Sequence, residues 1–306
     1  MENGHYFLGI DGGGTKTVFR LADAQGRIVK ETLKGAGNPN DIGLERAELL
    51  LREGIAETVG GIPFERITMF AGISGGGLTG DHAERLHRFF GEWGFFAFEN
   101  GSDMENLVGL SPYRRAILVI MGTGFIVYAL DGEERKRISG WGHLFDEGGS
   151  GYAIGRDAIA SVLSDADGSG EPTVLTAMMT ERLGKTAQAH LTEFYAGGKP
   201  YIASFSDLVF TAAEKGDAVA EAILRKNAAF AAEKIGTALR LLGGDAEIPV
   251  LFAGGISERH ESLFPLIANA LPEGRFRLMK IREKPIEGAV RRAEKIYERK
   301  IRRADL

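Results

Sequence analysis

The chain of 306 residues contains no cysteine, and this absence excludes several chemistries. Disulfide bonds, thiolate catalysis, zinc–thiolate sites and cysteine-ligated iron–sulfur clusters all require the cysteine side chain. The protein is therefore neither a disulfide-stabilised domain nor a protein that holds an iron–sulfur cluster on its own cysteines.

An excess of basic residues and a long apolar run are also lacking. The 37 Lys and Arg against 42 Asp and Glu give a formal net charge of -5, whereas nucleic-acid-binding proteins usually carry a basic excess. The longest apolar segment, residues 116–130, is interrupted by Gly122, Thr123 and Gly124 and is too short to span a bilayer. The start, MENGHYFLGI, has no basic segment before a long apolar one. We therefore expect no nucleic-acid partner, no membrane association, no signal peptide and a cytoplasmic location.

Glycine, by contrast, is abundant, and its 43 residues cluster where apolar runs end. An apolar run at residues 6–10 leads into three glycines and resumes at residues 18–21, which predicts a strand, a tight turn and a second strand. The same order recurs at residues 116–132, and a third apolar run, PVLFA, ends in two glycines. The first two instances lie about a hundred residues apart, a separation that favours two structurally similar halves.

Helical segments alternate with these strands. Amphipathic spacing begins at Leu44, and a long alanine-rich segment from residue 218 ends at Gly243 and Gly244. The last segment, residues 286–303, is predicted to be a helix with one apolar face and a solvated basic face that also carries glutamates. Alternating strands and helices indicate an α/β fold, and the repeat places a domain boundary near residue 112.

The first glycine turn, DGGGTKT, looks like a phosphate-binding loop but fails both common fingerprints. Thr15 separates Gly14 from Lys16, and Thr17 occupies the place of the last glycine in the dinucleotide pattern. Successive glycines can still aim backbone N–H groups into one concavity that binds phosphate. Asp11, at the end of the strand, is placed to hold Mg²⁺ through water, because Mg²⁺ gives up its waters reluctantly. The alternative is a plain glycine-rich hairpin with a buried or capping Asp, and the recurrence of the turn favours phosphate binding.

Four motifs together resemble a known superfamily. GIDGGGTKT, MGTGF, GWGHLFDEGGSGYAIGRDA and VLFAGGIS occur in the order and spacing of the sugar-kinase/actin/Hsp70-type ATPases. Within these, the chain resembles the BadF/BadG/BcrA/BcrD ATPase family and its N-acetylglucosamine kinase branch over essentially its whole length. The resemblance implies two ribonuclease-H-like domains with a cleft between them. We expect residues 1–112 with 286–306 to form the sugar-side domain, and residues 113–285 to form the second.

The resemblance also implies residues that bind ATP and Mg²⁺. It places Asp11 near the metal, Thr15 near the γ-phosphate, and the glycines of MGTGF in a second phosphate motif. A side chain at either glycine of VLFAGGIS would block the adenosine, and Ala213 corresponds to a position that lines the adenine pocket, with simple helix packing as the alternative. The expected nucleotide-binding set is Asp11, Gly12, Gly13, Gly14, Thr15, Gly122, Thr123, Gly124, Ala213, Gly254 and Gly255.

Asp103 is the candidate catalytic base. Phosphoryl transfer to a hydroxyl needs a group that accepts the hydroxyl proton, and the family places its catalytic Asp at a junction between a strand and a helix. Asp103 follows an apolar run and precedes a predicted short helix, where it could also serve as a helix N-cap. Glu99 and Glu105 are rival carboxylates, and Ser102 stands where the family usually has Asn.

Several residues match sugar-binding positions of the family. Asn38, with Asn40 as its alternative, matches an Asn that binds sugar hydroxyls, although both could be turn residues around Pro39. The loop GWGHLFDE matches one that closes over the substrate, and we give its histidine no acid–base role. The expected substrate-binding set is Asn38, Ser74, Asp103, Trp141, Gly142, His143 and Glu147.

Two departures from the family limit the choice of substrate. The chain reads DEGGS where the family reads Gly-Asp-Glu-Gly-Ser, so Glu147 takes the place of the substrate-binding Asp and Asp146 comes one position early. Phe125 and Ile126 stand where polar residues are common. They could accommodate an N-acetyl methyl or the lactyl group of N-acetylmuramic acid, or could simply pack in the core.

These observations favour an ATP-dependent kinase that phosphorylates the 6-hydroxyl of an N-acetylated amino sugar, most simply N-acetylglucosamine. N-Acetylmuramic acid and glucosamine are alternative substrates, and an ATPase with a protein client is an alternative function. An activating ATPase with an iron–sulfur cluster is disfavoured by the lack of cysteine. A sugar-sensing repressor is disfavoured because the first phosphate motif begins within the first ten residues. A homodimer is one oligomeric state that the sequence leaves open.

Overall fold

The computed structural model describes residues 4–77 and 81–304, which form two compact units. The first unit contains the described residues up to Pro112 and those from Arg282 onward, and the second is Tyr113–Ile281. The expectation that the chain has no signal peptide concerns its first ten residues, of which residues 1–3 lie outside the described residues.

Each unit contains one five-stranded sheet. The strands of the first unit are β1 (Tyr6–Gly12), β2 (Thr17–Asp23), β3 (Ile28–Lys34), β4 (Ile67–Ile73) and β5 (Ala97–Gly101). Those of the second unit are β6 (Arg115–Met121), β7 (Phe125–Asp131), β8 (Glu134–Ile138), β9 (Ile248–Ala253) and β10 (Phe276–Lys280).

Helices occupy most of the remaining chain. In the first unit they are α1 (Pro39–Ile42), α2 (Leu44–Val59), α3 (His82–Gly91), α4 (Met104–Leu110) and, last in the chain, α13 (Pro285–Ala304). In the second unit they are α5 (Gly151–Asp167), α6 (Val174–Leu183), α7 (Leu191–Ala196), α8 (Gly198–Ser204), α9 (Ser206–Glu214), α10 (Ala218–Leu242), α11 (Gly255–Arg259) and α12 (Leu263–Ala270).

The two sheets have the same topology. The first has the order β3-β2-β1-β4-β5 and the second β8-β7-β6-β9-β10. In each, three antiparallel strands form a meander, and two further strands run parallel to the first strand of that meander. The two similar halves predicted from the recurring glycine turns are therefore present, and each predicted turn joins the first two strands of its sheet.

Strand β1 is buried on both faces, because successive side chains point to opposite sides of a sheet. Leu8 and Ile10 pack in one core with residues of α2 and α3, and Phe7 packs in another with α13. The predicted apolar face of α13 is buried in that second core through Ala289, Ala293, Ile296 and Tyr297. The helix comes close to the sheet, since a Cβ on Gly9 would lie 2.8 Å from the backbone nitrogen of Val290.

The other two predicted helices have clear ends. Helix α2 begins at Leu44, whose side chain is buried together with Leu51 and Ile55. Helix α10 ends at Leu242, where the N–H of Gly243 (φ +60°) donates to the carbonyl of Leu239 at 2.9 Å. None of the helices within residues 4–77 and 81–304 is long and apolar enough to cross a bilayer.

Candidate active site

The first glycine turn lies at the carboxyl end of β1. The N–H of Gly13 donates a hydrogen bond to the carbonyl of Lys16 at 2.9 Å, and this bond closes the turn. Gly12 is buried, and a Cβ there would lie 3.2 Å from the side chain of Ile73. Thr15 is exposed, and Gly14 is half-buried. The structure thus gathers the predicted residues from Asp11 to Thr15 in one hairpin turn.

Asp11 carries the most perturbed carboxyl group near this turn. Burial raises the pKa of Asp11 to about 7; the hydrogen bond from Asn106 opposes this rise, the negative charge of Asp103 adds to it, and Lys16 opposes it. The Nδ2 of Asn106 donates to Oδ1 of Asp11 at 2.7 Å. Asp11 and Asp103 therefore share one electrostatic environment, in which a bound cation would favour the ionised carboxylate.

Asp103 occupies the junction between β5 and α4 and serves as the N-cap of α4. Its carboxylate accepts a hydrogen bond from the backbone N–H of Met104 at 3.1 Å. The rival carboxylates are paired with arginines of α13. Glu105 lies 3.2 Å from Arg292, and Glu99 pairs with Arg299. These ion pairs assign Glu99 and Glu105 to the packing of α13 in the first unit.

The sugar-side residues of the first unit also follow strand ends. The backbone N–H of Ser74, directly after β4, donates to the carbonyl of Gly12 at 2.7 Å. Asn38 is buried and caps α1, with its Oδ1 accepting from the N–H of Asn40 at 2.9 Å, whereas Asn40 is exposed. A Cβ on Gly75 would collide with Oδ1 of Asn38, so α1 packs closely against the turn after β4. The turn role of Asn38 is present, and a sugar role remains a prediction.

Parallel pairing brings these residues to one edge of the sheet. Strands β1, β4 and β5 run parallel, and Asp11, Ser74 and Asp103 lie at or just beyond their carboxyl ends. In open α/β sheets, ligands bind outside the carboxyl ends of the strands. The first unit therefore presents a phosphate-type turn, two carboxylates and a serine along the edge that typically binds ligands.

The second glycine turn joins β6 to β7. The N–H of Gly122 donates to the carbonyl of Gly124 at 3.0 Å. The carbonyls of Gly122 and Thr123 accept hydrogen bonds from the N–H groups of Gly151 and Tyr152 at 2.7 and 3.3 Å. This turn is thus fastened to the start of α5, which gives it a fixed backbone conformation.

The predicted adenosine glycines follow β9 and pack beside the second glycine turn. Gly254 has φ +99°, and a Cβ there would lie 2.7 Å from the carbonyl oxygen of Met121 and 3.1 Å from the nitrogen of Gly122. A Cβ on Gly255 would lie 2.8 Å from a guanidinium nitrogen of Arg259. Close backbone packing by itself therefore requires a residue without a side chain at Gly254.

Ala213 is half-buried on α9 and packs against the apolar core of the second unit. Its helix ends at Glu214, shortly before α10 begins. The packing alternative for Ala213 is therefore present, and an adenine-lining role remains a prediction.

The tryptophan loop of the second unit is exposed at its tip. Trp141 is 63% exposed, and the guanidinium of Arg137 lies 4.4 Å from the centre of its ring. The ring of His143 packs edge-on against Tyr152 with centroids 4.8 Å apart, and Gly142 has φ +102°. An exposed indole held by a cation on one side leaves its remaining surface for a ligand.

The structure separates the two acidic residues of this loop. Asp146 accepts hydrogen bonds from Oγ of Ser139 at 2.7 Å and from the N–H of Gly142 at 3.1 Å, so its carboxylate holds the loop together. Glu147 is exposed. The geometry favours Glu147 over Asp146 for a contact with substrate.

The apolar residues after the second glycine turn pack inside the unit. Phe125 is 5% exposed and contacts Phe230 edge-on at 5.7 Å, so core packing accounts for it. Ile126 is half-buried, and a Cβ on Gly140 would lie 2.6 Å from its side chain. Ile126 therefore lies beneath the base of the tryptophan loop.

Sequence reasoning missed Asn106, which contacts Asp11 directly. Asn106 is completely buried in α4 among apolar residues. The sequence does contain one indication of its role. Asn106 is a polar residue three positions after Asp103, where helical spacing predicts a buried apolar side chain.

Two sheets of the same topology, each with a glycine turn after its first strand, define an actin-like, sugar-kinase type of α/β fold. A candidate N-acetylglucosamine kinase from Chromobacterium violaceum has this fold, with a TM-score of 0.73 and 24% sequence identity over 94% of this chain and 98% of that one. The sequence model of the BadF/BadG/BcrA/BcrD ATPase family matches residues 8–290. The chain belongs to this family, and membership implies the use of ATP.

Two relatives are similar to the chain over most of their length. An N-acetylmuramic acid/N-acetylglucosamine kinase from Clostridium acetobutylicum is 34% identical over 232 residues, which are 73% of this chain and 76% of the relative. An N-acetyl-D-glucosamine kinase from Dictyostelium discoideum is 28% identical over 289 residues, covering 87% of this chain and 90% of the relative.

Proposed function

We propose that the protein transfers the γ-phosphoryl group of ATP to the 6-hydroxyl of an N-acetylated amino sugar, with N-acetylglucosamine as the first substrate to test. In this reaction the sugar oxygen forms a bond to phosphorus, the bond between phosphorus and the β,γ-bridging oxygen breaks, and ADP leaves. The hydroxyl proton passes to a carboxylate of the protein. Kinship with the two amino-sugar kinases supports the substrate class.

The observation that carries the proposal is the placement of Asp103 and the first glycine turn at the same edge of the sheet, at the carboxyl ends of parallel strands. A kinase needs a proton acceptor next to its phosphate site, and the charge of Asp103 raises the pKa of the carboxyl at the first glycine turn. Asp103 lies at the junction of β5 and α4, the kind of position where the family places its catalytic Asp, and Glu99 and Glu105 form ion pairs with arginines of α13. We assign the proton-accepting role to Asp103.

The two glycine turns are assigned to the triphosphate and the glycines after β9 to the adenosine. Thr15 is exposed at the first turn and is assigned to the γ-phosphate. Gly254 and Gly255 let the backbone approach the nucleotide closely, and Ala213 is assigned to the adenine side. Each of these roles is part of the proposal and is open to substitution experiments.

The residues at the first turn fit Mg²⁺. Magnesium binds oxygen ligands and usually takes one or two carboxylates together with substrate phosphates and water. Asp11 supplies a half-buried carboxylate whose pKa is raised to about 7 by burial, so a nearby cation would favour its ionised form. In residues 4–77 and 81–304 no group of three His, Asp or Glu side chains could form an all-protein metal cage. Bound Mg²⁺ would neutralise charge on the triphosphate, and Asp11 would hold it through water.

The sugar-binding residues expected from the sequence remain part of the proposal. They are Asn38, Ser74, Asp103, Trp141, Gly142, His143 and Glu147. Because Phe125 is used in the core, Ile126 is the apolar residue of this pair that we keep as a candidate for acyl recognition. The use of ATP supports a cytoplasmic location, and size measurement in solution would decide whether the protein is a homodimer.

A panel of sugars with coupled detection of ADP tests the proposed function. N-Acetylglucosamine, N-acetylmuramic acid, glucosamine and glucose would each be added to the protein with ATP and Mg²⁺. We expect an N-acetylated amino sugar to stimulate ADP release well above the rate without sugar. Release of ADP that no sugar stimulates would instead support an ATPase with a protein client.

A further inference from the structure

Asn106 is a polar residue in a place that otherwise holds apolar side chains. It lies in α4, where Met104, Leu107 and Leu110 are buried, and its own side chain is 0% exposed. Burying an amide is unfavourable unless its polar atoms are hydrogen-bonded. Within the described part of the chain, Oδ1 of Asn106 has no hydrogen-bond partner. An apolar side chain of similar shape would avoid that penalty, so stability alone does not account for this asparagine.

The other end of the amide is engaged. Nδ2 donates to Oδ1 of Asp11 at 2.7 Å and lies 3.3 Å from the carbonyl oxygen of Gly72. Gly72 of β4 pairs in register with Asp11 of β1. A Cβ on Gly72 would collide with the Asn106 amide, so the missing side chain is what lets the amide lie over β4 and reach the carboxylate of the next strand.

The backbone that carries Asn106 is also held in place. A Cβ on Gly288 of α13 would collide with the carbonyl oxygen of Asn106, and a Cβ on Gly109 would collide with the carbonyl of Gly288. Helices α4 and α13 therefore meet in backbone contact at this point. A hydrogen-bond donor on such a fixed support can set the orientation of its acceptor.

We propose that Asn106 is a positioning residue that holds the Asp11 carboxylate in the orientation required to bind the metal–nucleotide complex. The inference rests on the proposed function, in which Asp11 faces the metal. Replacing a residue that orients a metal-binding carboxylate typically lowers metal affinity or activity. We assign Asn106 no direct contact with metal or substrate.

Three variants test the role. Asn106→Leu keeps the approximate shape and removes the hydrogen bond to Asp11. Gly72→Ala keeps Asn106 but pushes its amide away from Asp11. Thr58→Val is the matched control, because it removes another buried hydrogen bond in the same unit, from Oγ1 of Thr58 to the carbonyl of Gly54 at 2.7 Å, without touching Asp11.

The measurements are binding of Mn²⁺ in the presence of ADP by electron paramagnetic resonance, the Mg²⁺ concentration for half-maximal activity, the KM for sugar, and the melting temperature. We expect both Asn106→Leu and Gly72→Ala to weaken Mn²⁺–ADP binding and to raise the Mg²⁺ requirement about 10-fold or more. The KM for sugar should stay near the wild-type value, and Thr58→Val should change only the melting temperature.

Unchanged Mn²⁺–ADP binding in a folded Asn106→Leu protein would overturn the proposal, whatever happens to the turnover rate. If Asn106→Leu does not fold, Asn106→Ser removes the same contact with a smaller side chain and is judged by the same criterion. Failure of the proposed function would look different. The wild-type protein would then bind Mn²⁺ and ADP without sugar-stimulated release of ADP, and the comparison between variants would still be readable.

Discussion

Oε2 of Glu105 lies 3.2 Å from the guanidinium of Arg292, and both side chains are largely buried. This ion pair joins α4 to α13 and engages a carboxylate two residues from Asp103. Sequence spacing alone cannot separate these carboxylates, whereas the ion pair assigns Glu105 to the packing of two helices.

Replacing Asp103 by Asn tests the proposed base. Turnover should fall by roughly 10²- to 10⁴-fold, the usual contribution of a positioned proton acceptor. ATP binding should survive, because Asn can still cap α4 through its side-chain oxygen. Steady-state kinetics and nucleotide-binding titration check both expectations, and near-normal turnover in the variant would show that another group accepts the proton.

Glu105→Gln is the matched control for that experiment. It removes the closer of two carboxylate charges beside Arg292, which still lies 3.9 Å from Glu99, so the melting temperature should fall because the largely buried guanidinium loses its nearer partner. Turnover at a temperature where the variant is folded should stay within a few-fold of the wild-type value. A loss of turnover as large as that of Asp103→Asn would contradict our choice between the two carboxylates.

Gly254→Ala should destabilise the second unit through a collision as well as through backbone strain. Gly254 has φ +99° and ψ 156°, and its Cβ would lie 2.7 Å from the carbonyl oxygen of Met121. Gly43 has a similar backbone, φ +83° and ψ 148°, with no atom within 4 Å of a Cβ. Gly43→Ala therefore reports strain alone, about 1–3 kcal/mol. Thermal denaturation should show the larger loss for Gly254→Ala, and equal losses would disprove the collision.

The stability of the first unit should depend on pH through His5. Burial lowers the pKa of His5 from 6.5 to about 4, and Arg66 adds to this shift. The unfolded chain therefore binds a proton between about pH 6.5 and 4 that the folded protein does not, and the free energy of unfolding falls as the pH decreases through this range.

His5→Gln isolates that contribution. The variant should show a shallower pH dependence of unfolding, by up to one proton per molecule, when chemical denaturation is measured at several pH values. Other groups titrate in both proteins and cancel in the difference. Identical slopes for the two proteins would mean that His5 is protonated in the folded state as readily as in the unfolded chain.

Glu147→Gln separates the two acidic residues of the tryptophan loop. We expect a KM for sugar that is roughly tenfold higher, since a hydrogen bond to a charged group contributes about 1.5–3 kcal/mol. The melting temperature should not change, because Glu147 is exposed. Asp146→Ala, by contrast, should lower the melting temperature, because it removes the hydrogen bonds from Ser139 and Gly142. An unchanged KM in Glu147→Gln would remove this residue from the binding set.

Local sequence patterns predict much of the fold. The glycine turns after β1 and β6 lie between short apolar runs, and Gly243 marks the end of α10. Such signals depend on neighbouring residues only, so the sequence reveals them. The equivalence of the two sheets follows from the recurrence of the same hairpin.

The candidate site is less visible in the sequence because it depends on contacts between distant residues. Asn106 reaches Asp11 only because β4 lies between β1 and β5 and carries Gly72 at the crossing. Gly254 was predicted to make room for a nucleotide, whereas the structure shows that the backbone of Met121 already requires a glycine there. Phe125 likewise has a core partner, Phe230, that lies far along the chain.

The position of the new phosphate ester on the sugar distinguishes the proposed reaction from its alternatives. Purified protein would be incubated with ATP, Mg²⁺ and N-acetylglucosamine, and the product would be analysed by phosphorus–proton correlation NMR, with 6-deoxy-N-acetylglucosamine as the control acceptor. We expect one equivalent of ADP for each N-acetylglucosamine 6-phosphate formed and no phosphorylation of the 6-deoxy sugar. Phosphate on another carbon, or free phosphate with no sugar ester from any amino sugar, would contradict this expectation.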